Sequence, residues 1–212
     1  VHVPFGLVSM EDGTMSTRQG RVVFLEDVLN RAVEQTKQII LEKNVTTENI
    51  DETAHDVGVG AVVFNELSNY RIKDYVFSWD KVLNFEGETG PYVQYTHARA
   101  CSILRRAGED TVKAAKKGFD TSWITGESAH HLIKLLYALP EVIKEAGEKY
   151  EPSIVTRHIV DIAQGFNKFY HDEHILVEDE KEKTAKVALV LAVQTAIKNG
   201  LGLLGMKAPE KM

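Results

Sequence analysis

The sequence contains a single cysteine, Cys101, among its 212 residues. No internal disulfide can form, and no metal site built from several cysteines is possible. This scarcity is typical of proteins of the reducing cytoplasm, where we expect this one to work. No apolar run approaches the roughly 20 residues that span a bilayer, and the N-terminus lacks the pattern of a secretion signal. We therefore expect no membrane partner.

Glycine loops of the two common phosphate-binding spacings are also missing. Gly58 and Gly60 fit close packing between helices better than a phosphate cradle. His171 and His174 have metal-ligand spacing but no clear third ligand, so we predict that they are surface histidines. The sequence begins at Val1 rather than at a methionine, which predicts an excised piece of a longer protein.

A basic excess, which a dedicated nucleic-acid binder usually shows, is lacking, because the net charge is −6. The charge is unevenly distributed, however. Residues 1–90 hold 8 Lys and Arg against 15 Asp and Glu, whereas residues 91–170 hold 11 against 9. The composition therefore permits a local basic surface after Pro91.

Helical spacing of apolar residues predominates in the chain. The predicted helices cover residues 25–43, 47–56, 61–70, 91–107, 110–117, 127–139, 140–149, 153–171 and 184–199. Short strands are predicted at Val3–Val8 and Arg21–Phe24, and residues 74–79 are predicted to be strand-like or extended. The predicted fold class is mainly α: a helical bundle preceded by a small β-containing segment.

The most distinctive stretch is EGETGPYVQYTHARACSILRRAG, from Glu86 to Gly108. Thr89 or Gly90 suits a helix N-cap, Pro91 suits the first turn, and Gly108 suits the end. Aromatic, amide and cationic groups crowd its first two turns, at Tyr92, Gln94, Tyr95, His97 and Arg99. Such groups stack on unpaired bases and hydrogen-bond to base edges and phosphates. On composition alone, a packed helix with snorkelling arginines is the favoured alternative.

A second candidate site is the polar stretch at residues 9–20, which lies between the two predicted strands. Its centre is Met15, Ser16, Thr17 and Arg18, flanked by glycines. A mobile loop with hydroxyls and one cation can close over a phosphate and stabilise its developing charge. A simple polar turn would have the same composition, and the residues alone favour that turn.

Three further stretches are GTMSTRQGRVVFLEDVL, the region from DVGVGAVVFNELS through FEGETGPYVQYTHARA, and the ending VALVLAVQTAIKNGLGLLGMKAPEKM. Taken together, in their order and spacing, they resemble the arginyl-tRNA synthetase family. FEGETGPYVQYTHARA is the most specific of them. The resemblance covers essentially the whole chain, as the family's C-terminal part from its KMSKS-like loop to its natural C-terminus.

The resemblance implies three parts: the end of the catalytic domain at 1–24, a helical junction at 25–86, and an α-helical anticodon-binding domain at 87–212. It implies that Met15, Ser16, Thr17 and Arg18 form the KMSKS-like loop, with Ser16 and Arg18 on the ATP phosphates. Thr14 and Thr17 stand where the motif has lysines, so Arg18 is its only cation. The implied tRNA-binding residues are Gln94, Tyr95, Arg99, Arg106, Tyr170 and Met212.

The implied function is a part of arginine–tRNA ligase that recognises the anticodon loop. The intact enzyme would use ATP with Mg²⁺, arginine and the arginine-accepting tRNA. The nucleotide-binding fold and its HIGH motif are not in this sequence, so we expect no bound cofactor and no arginine activation by this chain alone. We expect a monomer. A stand-alone helical RNA-binding module and a protein-interaction module are the alternatives, and salt dependence of binding separates them.

Overall fold

A computed structural model describes residues 1–11, 13–14, 22–42 and 49–212. Across these residues eight α-helices accompany a three-stranded sheet. The helices are α1 Leu25–Glu42, α2 Ile50–Ser68, α3 Trp79–Val82, α4 Gly90–Ala107, α5 Glu109–Lys117, α6 Glu127–Lys149, α7 Ser153–Asp172 and α8 Glu180–Leu203. The predicted fold class, mainly α with a small β-containing start, is confirmed.

The sheet has the strand order β2-β1-β3, with β1 at Val8–Met10, β2 at Gly13–Thr14 and β3 at Tyr75–Phe77. Strand β1 runs antiparallel to β2 and parallel to β3. The predicted strand at 3–8 was wrong, because β1 begins only at Val8. The residues before it make isolated contacts to a turn, such as Gly6 N–H to the Arg71 carbonyl at 2.8 Å.

The predicted strand at 21–24 was also wrong for the part that the structure describes, residues 22–24. These residues are exposed and form no strand. The carbonyl of Phe24 instead accepts hydrogen bonds from Asp27 N at 3.1 Å and Val28 N at 3.2 Å. The segment therefore leads into α1, and within the described residues its β-branched Val22 and Val23 pair with no strand.

Helix α2 is continuous where the sequence indicated a soft junction. Asn49 caps it, accepting a hydrogen bond from Glu52 N at 3.2 Å. A Cβ atom at Gly58 would lie 2.8 Å from backbone atoms of Ala32 in α1, too close for any side chain. The prediction that these glycines allow close helix packing is therefore confirmed at Gly58.

Helix α6 also differs from the prediction of two helices broken at Pro140. It is one helix, and Pro140 lies inside it on the exposed side. Proline in a helix interior costs about 3 kcal/mol because a hydrogen bond is lost. The buried residues Leu132, Leu139 and Ala146 continue one apolar stripe across that position. Their burial contributes roughly 1.5–3 kcal/mol for each of the two leucines, which is enough to offset the proline penalty.

Two apolar clusters organise the helices. The larger cluster joins helices α4, α5, α6, α7 and α8. It includes the fully buried Phe166, Phe169, Ile159 and Ile197. The smaller lies between α1, α2 and β3. Helix α2 contributes to both, through Phe64 to the first and Ala61 to the second. Within the described ranges, no helix is long and apolar enough to cross a membrane.

Candidate nucleic-acid interface

Helices α4 and α7 bring two tyrosines and an arginine together at the surface. Tyr95 and Arg99 share one face of α4 because they are four residues apart. The Arg99 guanidinium carbon lies 5.0 Å from the centre of the Tyr95 ring and 5.4 Å from that of Tyr170 on α7. Both tyrosine residues are 42% exposed. The structure thus unites three of the residues that the sequence predicted for RNA binding.

Asn167 on α7 holds this arrangement in place through hydrogen bonds to side chains of α4. Its side-chain oxygen accepts a hydrogen bond from Arg99 Nη1 at 2.5 Å. Its amide nitrogen donates to the Tyr92 hydroxyl at 2.8 Å and to Thr96 Oγ1 at 3.2 Å. Because the guanidinium only donates, it sets which way the amide points. The sequence reasoning missed Asn167, although its place three residues before Tyr170 on a helix puts both on one face.

A cleft of about 330 Å³ opens beside Arg99. Its lining residues are Tyr95, Ala98, Arg99, Ser102, Arg105, Lys211 and Met212. Three of them carry positive charges, whereas no carboxylate side chain lies among them. An anionic backbone is attracted to such a wall, and bases can stack on the neighbouring rings.

The C-terminal tail, residues 204–212, forms one wall of the cleft. Side chains of α4 hold the tail in place through hydrogen bonds to its backbone carbonyls. Gln94 Nε2 donates to the Lys207 carbonyl at 2.9 Å, and His97 Nδ1 lies 2.9 Å from the Pro209 carbonyl. Arg105 Nη1 donates to the Glu210 carbonyl at 3.2 Å. These bonds set the position of the last residues, including Met212.

The structure does not bring every predicted residue to the cleft. Gln94 is fully buried, and it also donates to the Asp56 carbonyl at 3.1 Å. Its side chain therefore faces the tail and α2, not the outer surface. Arg106 is exposed and lies three turns beyond Tyr95 on the same helical face, outside the cleft lining. The predicted loop residues Met15, Ser16, Thr17 and Arg18 lie outside the described residues.

His97 is buried between the tail and α8, and burial is the main cause that lowers its pKa. Its Nε2 lies 3.0 Å from the amide nitrogen of Gln194. A ring that donates from Nδ1 to Pro209 and accepts at Nε2 from Gln194 is neutral. The charges that act on it are Lys198, which lowers the pKa further, and Glu210, which opposes this.

We expect the free energy of unfolding to fall as the pH drops below about 6.5, the ordinary pKa of histidine. The unfolded state binds the proton first because the folded-state pKa of His97 is lower, so acid favours unfolding. Above that pH this contribution is complete. Urea denaturation at several pH values between about 7.5 and 5.5 measures it.

A His97→Asn variant supplies the control, because asparagine keeps a donor near the position of Nδ1 but does not titrate. It should unfold more easily than the wild type at pH 7.5 yet lose less stability on acidification. Equal losses in the two proteins would show that His97 does not carry the pH dependence.

Two other candidate residues, Cys101 and His171, do not line the cleft. Cys101 is buried, as predicted, and burial raises the pKa of its thiol, which disfavours the reactive thiolate. His171 is exposed and pairs with the adjacent Asp172. In the ranges covered by the structure, no group of three or more His, Cys, Asp or Glu side chains could hold a metal ion.

Comparison with known protein families divides the chain into two matched regions. Residues 1–79 match the family described as tRNA synthetases class I (R), catalytic domain. Residues 93–212, which contain the whole cleft, match the DALR anticodon binding domain. A piece of a class I synthetase catalytic domain thus precedes an anticodon-binding domain.

Individual relatives agree with these matches. Arginine–tRNA ligases of Halothermothrix orenii and Clostridioides difficile are 58% and 54% identical over 212 residues, which is 100% of this chain and 37% of each relative. The arginyl-tRNA synthetase structure of Thermus thermophilus has a TM-score of 0.89 at 32% identity, covering 100% of this chain and 35% of that one. The chain belongs to the arginyl-tRNA synthetase family, which confirms the resemblance seen in its sequence. It spans little more than a third of its relatives' length.

Proposed function

We propose that this chain is the anticodon-binding part of an arginine–tRNA ligase. The observation that carries the proposal is the Arg99 guanidinium lying against both the Tyr95 and Tyr170 rings at the edge of a cationic cleft. The cleft lies within the region that matches the DALR anticodon binding domain. The related proteins named above are arginine–tRNA ligases.

The roles of the side chains follow from their chemistry. Tyr95 and Tyr170 offer partly exposed rings on which unpaired bases stack, at about 1–3 kcal/mol for each base. Arg99 supplies a planar cation that donates to phosphates or base edges. Arg105 and Lys211 line the same cleft and add positive charge along the path of the RNA backbone. Met212 offers an apolar contact, and Arg106 extends the positive surface along α4.

The proposal extends to the rest of the enzyme. The intact ligase would use ATP with Mg²⁺ to activate arginine and would transfer it to tRNA. Met15, Ser16, Thr17 and Arg18 would be its KMSKS-like loop, with Ser16 and Arg18 binding the ATP phosphates. The proposed parts are 1–24 for the end of the catalytic domain, 25–86 for the junction and 87–212 for anticodon binding. We also propose that the enzyme is a monomer of the cytoplasm, a reducing compartment in which a single buried cysteine stays a free thiol.

The test is binding of this chain to a hairpin with the anticodon stem and loop of arginine-accepting tRNA. A matched hairpin carries the same stem and three substituted anticodon bases. Fluorescence anisotropy at two salt concentrations should show tighter binding to the natural loop. It should also show a steep loss with salt, because phosphate contacts release counterions. Equal affinity for both hairpins, or an affinity that does not change with salt concentration, would contradict anticodon recognition.

A further inference from the structure

Arg71 lies in the turn between α2 and β3 and contacts two distant segments of the chain. Its Nε donates to the carbonyl of Tyr150 at 2.9 Å, and its Nη1 donates to the carbonyl of Pro4. Tyr150 follows the end of α6, whereas Pro4 belongs to the segment before β1. One guanidinium therefore joins the helical bundle to the first residues of the chain.

On the side of the helical bundle, Arg71 contacts Tyr150 and Glu151, which have a well-defined local structure. Tyr150 has φ 52° and ψ 40°, and it is the one non-glycine residue with positive φ in the described ranges. A left-handed residue with a side chain costs roughly 1–2 kcal/mol, so its surroundings must hold it. The next residue, Glu151, is 4% exposed and accepts hydrogen bonds from Ser153 Oγ at 2.7 Å and from the Arg71 backbone N–H at 3.3 Å.

The other side of the contact sets the position of the sheet. The Arg71 carbonyl accepts from Gly6 N at 2.8 Å, and Asp74 Oδ1 accepts from Leu7 N at 2.7 Å. Tyr75 N then donates to the Leu7 carbonyl at 3.1 Å, immediately before β1 pairs with β3. A displacement of the turn would therefore displace β1 together with its partner β2, and the sequence of the proposed KMSKS-like loop follows β2.

We propose that Arg71 is a positioning residue that fixes the orientation of the anticodon-binding bundle relative to the catalytic domain. It lies in the region that matches the class I catalytic domain, and Tyr150 lies in the region that matches the anticodon-binding domain. This inference rests on the proposed function. A tRNA held at the cleft must present its far end to the active site, and small errors in such placement can lower a rate about 100-fold.

The test uses the full-length enzyme and two assays with different dependence on this contact. Arg71→Ala should leave binding of the anticodon hairpin within about twofold of wild type, because the cleft does not include Arg71. It should lower kcat/KM for charging of whole tRNA about 10- to 100-fold. Arg71→Lys keeps the charge but cannot donate to both carbonyls from a planar fork, so an intermediate loss is expected.

Arg157→Ala is the matched control, because Arg157 and Arg71 both line a cavity that also includes Tyr70 and Glu151. Unlike Arg71, Arg157 belongs to helix α7 of the bundle itself. It should charge tRNA like the wild type. Normal charging by a folded Arg71→Ala enzyme would overturn the proposal, and so would parallel losses in hairpin binding and charging. If Arg71→Ala fails to fold, Arg71→Lys decides by the same criteria. Failure of the wild-type enzyme to bind the hairpin would instead overturn the proposed function.

Discussion

Arg99→Ala is expected to weaken binding of the anticodon hairpin about 30- to 160-fold, which corresponds to about 2–3 kcal/mol. The substitution removes the cation between Tyr95 and Tyr170 and one of the positive charges at the cleft. A cation over an aromatic ring contributes about 0.5–2 kcal/mol, and the substitution removes this contact from both tyrosine rings. Anisotropy titration of wild type and variant gives the ratio of dissociation constants.

Arg157→Ala again provides the matched control, since it removes one exposed arginine on α7 away from the cleft. Its binding should stay within about threefold of the wild type. The dependence of binding on salt should become less steep for Arg99→Ala if the guanidinium contacts phosphate. A folded Arg99→Ala protein that binds the hairpin as tightly as wild type would exclude Arg99 from the interface.

Lys186→Met is expected to lower the free energy of unfolding by about 3 kcal/mol, the low end for breaking a buried ion pair. Lys186 is 7% exposed, and its Nζ lies 3.1 Å from Glu173 and 2.9 Å from Glu182. It also donates to the His174 carbonyl at 3.0 Å. Methionine would leave both carboxylates without this cation. The midpoint of thermal unfolding should fall by about 6–12 °C.

The pH range of this effect follows from the pKa of Lys186. Burial by itself lowers that pKa, but hydrogen bonds and charges from Glu182 and Glu173 outweigh burial and raise it above its ordinary value. The stabilisation is therefore complete below about pH 10.5 and is lost only as the pH rises through the folded-state value. Between about pH 6 and 9 the difference between wild type and variant should stay constant.

Lys113→Met is the control for Lys186→Met, because Lys113 pairs with Glu109 on the exposed surface of α5. Exposed pairs contribute about 0–1 kcal/mol, so this variant should unfold near the wild-type temperature. Similar losses from both substitutions would mean that the buried position of Lys186 is not what matters.

Local chemistry was enough to predict α4. Thr89 caps the helix, Pro91 lies in its first turn, and Gly108 follows its last residue with φ 85°. Each of these residues acts on backbone groups within one turn of itself, so the sequence contains all the information that sets the ends. The predicted group of Tyr95, Arg99 and Tyr170 also came together, although their roles remain a proposal.

Distant contacts explain what the sequence could not show. Gln94 has an amide group of the kind that contacts RNA, but the C-terminal tail folds back over it. Gln94 is therefore buried, and it hydrogen-bonds to the tail instead. Asn167 matters because α7 brings it beneath Arg99, 68 residues away in the chain. Pro140 indicated a helix end, yet burial of the apolar stripe on both sides keeps α6 intact.

The sequence by itself determined the mainly helical fold, the ends of α4 and the family to which the chain belongs. Only the tertiary structure decided which polar groups reach the surface, how the tail forms a wall of the cleft, and that Arg71 joins the bundle to the first residues. The physical reason is the distance along the chain over which each kind of interaction acts. Caps and helical periodicity act over a few residues, whereas burial and hydrogen bonding of a side chain depend on segments that meet only after the chain has folded.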